Sequence, residues 1–106
     1  MGILELLGKP DIDRGVAAFR DHPHALLLDV RTPAEYRQGH IPGSRNIPLQ
    51  TIDKVTQLEE NKDVALFVYC HSGARSRQAV AALRRMGYTN VQNIGGIAAY
   101  GGKVEV

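Results

Sequence analysis

The stretch "DVALFVYCHSGARSRQAVAALRRMGY", residues 63–88, joins an apolar run to a helical pattern and carries the single cysteine of the chain at the junction. Its first eight residues are typical of a strand buried on both faces of a sheet. Ala79, Leu83 and Met86 then share one face of a predicted helix, and Gly87 suits the left-handed position that follows a helix end. A buried strand that leads directly into a helix indicates an α/β protein.

The segments on either side repeat this alternation. "ALLLDV" (25–30) is a second continuous apolar run, and "NVQNI" (90–94) predicts a third, shorter strand. A brief strand is expected around 46–47. Helices are predicted before and between these strands, at residues 11–21, 32–39 and 50–60. Because parallel strands need helical crossovers, the pattern predicts a central, mostly parallel sheet flanked by helices.

Composition limits the classes of function. A chain of 106 residues with 43% hydrophobic and 23% charged residues predicts one globular domain over 1–106. A net charge of +2, with no basic tract interleaved with aromatics, argues against nucleic acid. No segment reaches membrane-spanning length and the first residues lack a basic region followed by a long apolar run, so we expect no membrane partner and, by default, a cytoplasmic location. One cysteine excludes an internal disulfide, and the histidines are too scattered for a metal site.

The cysteine falls where such sheets bind ligands, beyond the carboxyl end of a strand. Backbone N–H groups after Cys70 have no helical partners, so they can surround an anion at the helix start. Gly73 allows a positive φ, and Ser72 and Ala74 are small. Such surroundings lower a thiol pKa from about 8.5 to about 3.5–7.5. A lone buried cysteine is often inert core, but this combination favours an activated nucleophile.

Three motifs resemble the rhodanese family. "CHSGARS" (70–76) is similar to its active-site loop, Cys-x-x-x-x-Arg-Ser, before a helix. "LLLDVRTPAEYRQGHIPGSRNIPL" (26–49) resembles its upstream motifs, and "GGIAAYGG" (95–102) its closing Gly-Gly segment. In this order they cover roughly residues 25–102. The chain therefore resembles single-domain rhodaneses, the thiosulfate sulfurtransferase-like proteins, and the resemblance implies their three-layer α/β fold.

The resemblance also implies a function. Such a sulfurtransferase moves sulfane sulfur from thiosulfate or a persulfide donor to cyanide or a thiol, without a metal or organic cofactor. The sulfur is carried as a persulfide on Cys70, within a cradle formed by His71, Ser72, Gly73, Ala74, Arg75 and Ser76. A protein persulfide or thiol is a further possible partner.

The neighbouring charged residues have two interpretations each. Arg75 either attracts anions or forms a buried pair with Asp29, and the structural pair is favoured. Ser76 caps the helix or hydrogen-bonds the sulfur. Arg77 is helix surface or a guide for anionic donors, with surface favoured, and the same ambiguity holds for Arg31, a supporting residue beside Asp29, and for Arg45.

This sequence departs from the family pattern at two positions. His71 stands where arginine is frequent, so donor binding is weaker or pH-dependent, unless His71 is only an exposed loop residue. Tyr100 matches an aromatic position that is often tryptophan, which we interpret as a packing substitution. His40 is expected to fix its loop by hydrogen bonds.

Two other classes compete with sulfur transfer. Cysteine phosphatases and arsenate reductases use a similar loop, but phosphatases have five residues between cysteine and arginine, whereas residues 71–74 are four. A phosphoryl group is larger than one sulfur atom and needs the wider loop. A non-catalytic interaction or regulatory module is the other alternative, although inactive relatives typically lose the cysteine.

Overall fold

The computed structural model describes residues 10–106; the apolar N-terminal stretch before residue 10 lies outside them. The helices are α1 (Ile12–Arg20), α2 (Pro33–Gln38), α3 (Val55–Leu58) and α4 (Ala74–Arg85). The strands are β1 (Leu26–Asp29), β2 (Ser44–Asn46), β3 (Leu66–Cys70) and β4 (Val91–Gly96), and 3₁₀ helices span Leu49–Lys54 and Ile97–Ala99. Within the described residues, no helix is long and apolar enough to cross a membrane.

The four strands form one sheet in the order β2-β1-β3-β4, and every neighbouring pair is parallel. This arrangement, with helices on both faces, confirms the predicted α/β class. The strand around 46–47 begins earlier, at Ser44. The helix predicted over 50–60 is wrong as a continuous helix. A 3₁₀ helix with non-helical dihedral angles at Thr51 precedes the single turn of α3, and Leu58 remains 42% exposed.

Alternation along the strands builds a separate apolar layer on each face of the sheet. Leu27 and Phe67 belong to the layer that α1 covers with Ile12 and Val16. The residues that alternate with them point to the opposite layer, which α4 and the 3₁₀ segment cover. Because β1 and β3 are central strands buried on both faces, their sequences are nearly continuous apolar runs.

The helix ends follow local capping chemistry. Asp11 caps α1 by accepting hydrogen bonds from the N–H groups of Asp13 and Arg14. Thr32 and Glu35 form a reciprocal capping box at the start of α2. Gly87, just after α4, has a φ of 104°, as predicted. The capping box matters for the site, since it fixes Glu35 beside the cysteine loop.

Candidate active site

Cys70 lies where the carboxyl ends of the central strands meet. It is the last residue of β3, opposite Gly96 of β4, and is only 1% exposed. Asp29 ends the neighbouring strand, opposite Tyr69. The sheet topology thus places the thiol at the edge where parallel sheets bind ligands.

The backbone after Cys70 turns sharply before α4 begins. Gly73 precedes the helix with a φ of 104°, the left-handed conformation that only glycine adopts without strain. In this position its N–H donates to Cys70 Sγ at 3.0 Å. The Gly73 carbonyl accepts from the N–H of Arg77, one turn into the helix. A backbone donor therefore points at the sulfur, as the glycine in this loop predicts.

Ser76 links the sulfur to β4. Its hydroxyl lies 3.5 Å from Cys70 Sγ, 2.7 Å from Asn93 Oδ1 and 3.0 Å from the Gly73 carbonyl. Gly95 N–H donates to the same Asn93 oxygen at 2.9 Å, which marks that oxygen as an acceptor. A hydroxyl has one proton, so it can donate to Asn93 when the thiol is protonated and turn to the sulfur when a thiolate forms.

Asn93 is a residue beside the cysteine loop that sequence reasoning missed. Its amide nitrogen also donates to the Gly73 carbonyl, at 3.2 Å. It thereby braces the loop from a strand twenty residues away, next to an irregularity in the pairing of β3 with β4. Such irregularities are common beside active sites. Three of the five residues in the predicted strand 90–94 are polar, so the sequence did not distinguish Asn93 from its neighbours.

The surroundings of Cys70 favour the thiolate. Burial raises the pKa of the Cys70 thiol, but the Ser76 hydroxyl and the N–H groups of Ser76, Gly73 and Ser72 lower it more. The net result is a pKa below the ordinary cysteine value. Hydrogen bonds to the charged form are the cause, so this buried thiol differs from an inert core cysteine.

Ser76→Ala should raise the lowered pKa of the Cys70 thiol towards its ordinary value. Loss of the hydroxyl removes a hydrogen bond to the thiolate, so the Cys70 pKa rises and the rate of alkylation by iodoacetamide at pH 7 falls about two- to tenfold. Rates for the two proteins should converge at high pH, where both thiols are ionised. Ser72→Ala is the control, because its exposed side chain is lost while its backbone N–H stays. Equal pH profiles for Ser76→Ala and wild type would contradict this role.

The Gly-Gly segment closes against the loop. A side chain at Gly96 would overlap the backbone carbonyl of His71 and the Cα of Ser72. The N–H of Ala98 donates to that same carbonyl at 3.1 Å. Gly96 is therefore required by close backbone approach, which explains physically why β4 ends in a glycine.

The expected pair between Arg75 and Asp29 is wrong. Asp29 is fully buried and pairs with Arg31, whose Nη2 donates to Asp29 Oδ2 at 2.7 Å and whose Nε donates to both carboxylate oxygens at 3.1 Å. Arg31 also donates to the Gly39 carbonyl at 2.7 Å. Since the Arg31 side chain is 6% exposed, it is a structural residue and not a surface guide for anions.

Arg75 instead pairs with Glu35 of α2. Its two terminal nitrogens donate to the two carboxylate oxygens at 2.7 and 3.0 Å, a bidentate fork. Both side chains are about one-third exposed, at 33% and 31%. The Arg75 fork and the N–H of Thr32 lower the pKa of Glu35 to about 2. Arg75 therefore ties the cysteine loop to the capping box of α2.

Glu35→Gln should lower the free energy of unfolding at pH 7 by about 0.5–1 kcal/mol, the range of a partly exposed ion pair. Glutamine still completes the capping box, so the change isolates the charge. The Glu35 pKa is about 2 when folded against 4.5 normally. Its contribution is thus present above about pH 4.5 and lost as the pH falls towards 2. Denaturation followed against pH should show the two proteins converging there, whereas exposed Glu60→Gln should follow wild type throughout.

Two other predicted positions are structural. His40 Nδ1 lies 3.0 Å from the Tyr36 carbonyl, and its ring stacks on that of Tyr36 with centroids 3.7 Å apart. His40 fixes its loop, as expected. Tyr100 packs against the apolar layer under α1, which agrees with a packing role.

A cavity of about 580 Å³ opens above the cysteine loop. Its walls include residues 71–74 of the loop, Arg77 of α4, and Gly95, Gly96, Ala98 and Ala99 of the Gly-Gly segment. His71 and Arg77 are exposed at this mouth. Arg45 lies elsewhere, on a separate groove of about 470 Å³. Among residues 10–106 there is no cluster of three or more side chains suited to a metal ion.

The class of protein follows from this geometry. It is an α/β domain with a buried cysteine of lowered pKa in the loop between a parallel strand and a helix. The chain belongs to the rhodanese family: the model of the rhodanese-like domain matches residues 14–103. This match confirms the resemblance that the three motifs indicated.

Similar proteins and similar solved structures agree with this family assignment. A protein named sulfurtransferase from Allochromatium vinosum is 44% identical over 82 residues, 76% of this chain and 75% of that protein. Thiosulfate sulfurtransferase PspE of Escherichia coli is 41% identical over 71 residues, 66% of this chain and 68% of that protein. A rhodanese with anions from E. coli superposes with a TM-score of 0.72 at 35% identity, covering 76% of this chain and 96% of that one.

The domain also occurs in longer proteins. The tRNA uridine(34) hydroxylase of Erwinia tasmaniensis is 38% identical over 91 residues, 80% of this chain but only 26% of that protein. Membership of the family therefore identifies the fold of this chain. Its reaction has to be argued from the residues around Cys70.

Proposed function

We propose that this protein is a sulfurtransferase that carries sulfane sulfur on Cys70 as a persulfide. The Cys70 thiolate attacks the outer sulfur of thiosulfate or of another sulfane donor. A sulfur–sulfur bond forms to Cys70 while the bond within the donor breaks, and the leaving group, sulfite from thiosulfate, departs with the electron pair. A thiophilic acceptor, cyanide or a thiol, then attacks the outer sulfur and releases the Cys70 thiolate.

The observation that carries this proposal is the contact set of Cys70 Sγ. The N–H of Gly73 lies 3.0 Å away and the Ser76 hydroxyl 3.5 Å away, and the Cys70 pKa is below its ordinary value. These donors favour the thiolate of Cys70 over its thiol, and we propose that they also hold the persulfide. A nucleophile that forms a covalent intermediate needs this kind of activation.

The size of the loop supports sulfur over phosphate as cargo. Four residues separate Cys70 from Arg75, and both terminal nitrogens of Arg75 donate to Glu35. A phosphoryl group would need donors for three oxygens in place of one added atom. With Arg75 committed to a carboxylate, the loop lacks the arginine fork that would bind those oxygens.

The acceptor in this proposal comes from outside the chain. Cys70 is the only cysteine in the sequence, so no second thiol can resolve the persulfide internally. A small thiol or a protein thiol is the partner class. A reducing compartment such as the cytoplasm, where thiols persist, suits this chemistry and is part of the proposal.

Intact-mass measurement after incubation with thiosulfate tests the proposal. The wild-type protein should gain the mass of one sulfur atom, and cyanide should remove it. Cys70→Ser, treated identically, should gain nothing. A reduced, alkylatable Cys70 that gains no sulfur from thiosulfate or from a small-molecule persulfide would overturn the proposal and favour a non-catalytic interaction module.

A further inference from the structure

Three arginines near the site differ in what they contact. Arg31 is buried against Asp29, and Arg75 is held by the Glu35 fork. Arg77 has no carboxylate within 4.0 Å among residues 10–106, and its side chain is exposed. Arg77 is thus the arginine of this group whose charge is available to a ligand.

The helix geometry directs Arg77 to the cavity. Ala74 and Arg77 are three residues apart on α4 and so lie on the same face of the helix. Both line the cavity above the loop, together with Gly96 and Ala98. Arg75, two residues before Arg77, lies on another face and contacts α2. A cation therefore borders the cavity that the cysteine loop lines, on a wall otherwise rich in glycine and alanine.

We propose that Arg77 is the specificity-determining residue that binds the anionic end of the sulfur donor, which deepens the proposed function and rests on it. Thiosulfate carries its sulfonate oxygens at the end opposite the sulfur that Cys70 attacks. When the outer sulfur approaches the loop, the sulfonate faces the cavity, where a guanidinium can donate two parallel hydrogen bonds to it. Arg77 forms no covalent bond; it holds the donor and then the departing sulfite through charge.

Sulfur transfer with two donors tests this role. Arg77→Gln should lower kcat/KM for thiosulfate about tenfold, the loss expected for one charge-assisted contact. The loss should be smaller for methanethiosulfonate, a monoanion in which a methyl group replaces one charged oxygen. Arg77→Lys should restore part of the loss, and Arg85→Gln, the same change on the exposed far end of α4, should match wild type.

Alkylation provides a readout that does not depend on sulfur transfer. Iodoacetate is anionic and iodoacetamide is neutral, and both react with the single cysteine of the chain. The ratio of their rates should fall about fivefold or more in Arg77→Gln if Arg77 attracts anions to Cys70. Added salt should lower this ratio in wild type more than in the variant.

The two measurements separate the two proposals. Sulfur loading in wild type, with kcat/KM for thiosulfate and the alkylation ratio both unchanged in Arg77→Gln, would overturn the role of Arg77 and leave sulfur transfer standing. A changed alkylation ratio in a protein that no sulfane donor loads would support an anion-binding Arg77 and refute sulfur transfer. An equal loss in Arg85→Gln would show an effect of net charge and would also overturn the role of Arg77.

Discussion

Cys70→Ser should reduce sulfur transfer from thiosulfate to cyanide to background, a loss of more than about a thousandfold. A serine hydroxyl remains protonated at neutral pH and cannot form a persulfide. The substitution replaces sulfur with oxygen beneath the same Gly73 N–H and Ser76 hydroxyl. We therefore expect the change in the free energy of unfolding to stay below about 1 kcal/mol.

Steady-state thiocyanate production and a thermal melt together check this result. The melt separates loss of the nucleophile from loss of the fold, because Cys70 is buried in the apolar layer under α4. Sulfur transfer by Cys70→Ser at more than a few per cent of the wild-type rate would contradict a persulfide on Cys70.

Arg31→Ala should be the most destabilising of the arginine substitutions around the site, lowering the free energy of unfolding by about 3–5 kcal/mol. It would leave the fully buried Asp29 carboxylate with one N–H partner, that of residue 31 itself. Arg75→Ala is the matched comparison. It removes a fork that is one-third exposed and should lower the free energy by about 1 kcal/mol or less.

Urea denaturation of both variants measures the difference directly. In a domain of about this size each kcal/mol also moves the melting midpoint by about 4–8 °C, so thermal melts should rank the two variants in the same order. Equal losses for Arg31→Ala and Arg75→Ala would contradict the division of roles between the two arginines.

Local patterns predicted much of this site because its parts are local in the chain. The strand, cysteine, turn and helix follow one another within residues 63–88, and Gly73 takes the φ that the turn needs. The glycine after α4 is also a local feature, because it depends only on the helix end that precedes it. The segment 50–60 departed most from its pattern, because Ile52, Val55 and Leu58 at helical spacing do not prevent a 3₁₀ helix and a kink at Thr51.

The hydrogen-bond partners of the polar side chains around the cysteine loop could not be predicted from local sequence patterns. Glu35 and Arg75 are forty residues apart, and Ser76 and Asn93 are seventeen apart. From the sequence, either Arg31 or Arg75 could have paired with Asp29. In the structure the partner is Arg31, which is only two residues away along the chain. Charge and spacing show that such side chains need partners, while the choice among partners depends on where separate elements come together.

The sequence by itself determined the α/β class, the family and the position of the single thiol at a strand-to-helix junction. These features follow from apolar periodicity, glycine conformations and short motifs, all of which act over a few residues. Only the tertiary structure decided that Arg31 holds Asp29, that Glu35 holds Arg75, that Asn93 braces the loop and that Arg77 remains available at the cavity. Those assignments arise when parallel strands bring distant segments to one edge of the sheet, where burial and hydrogen-bond geometry select the partners.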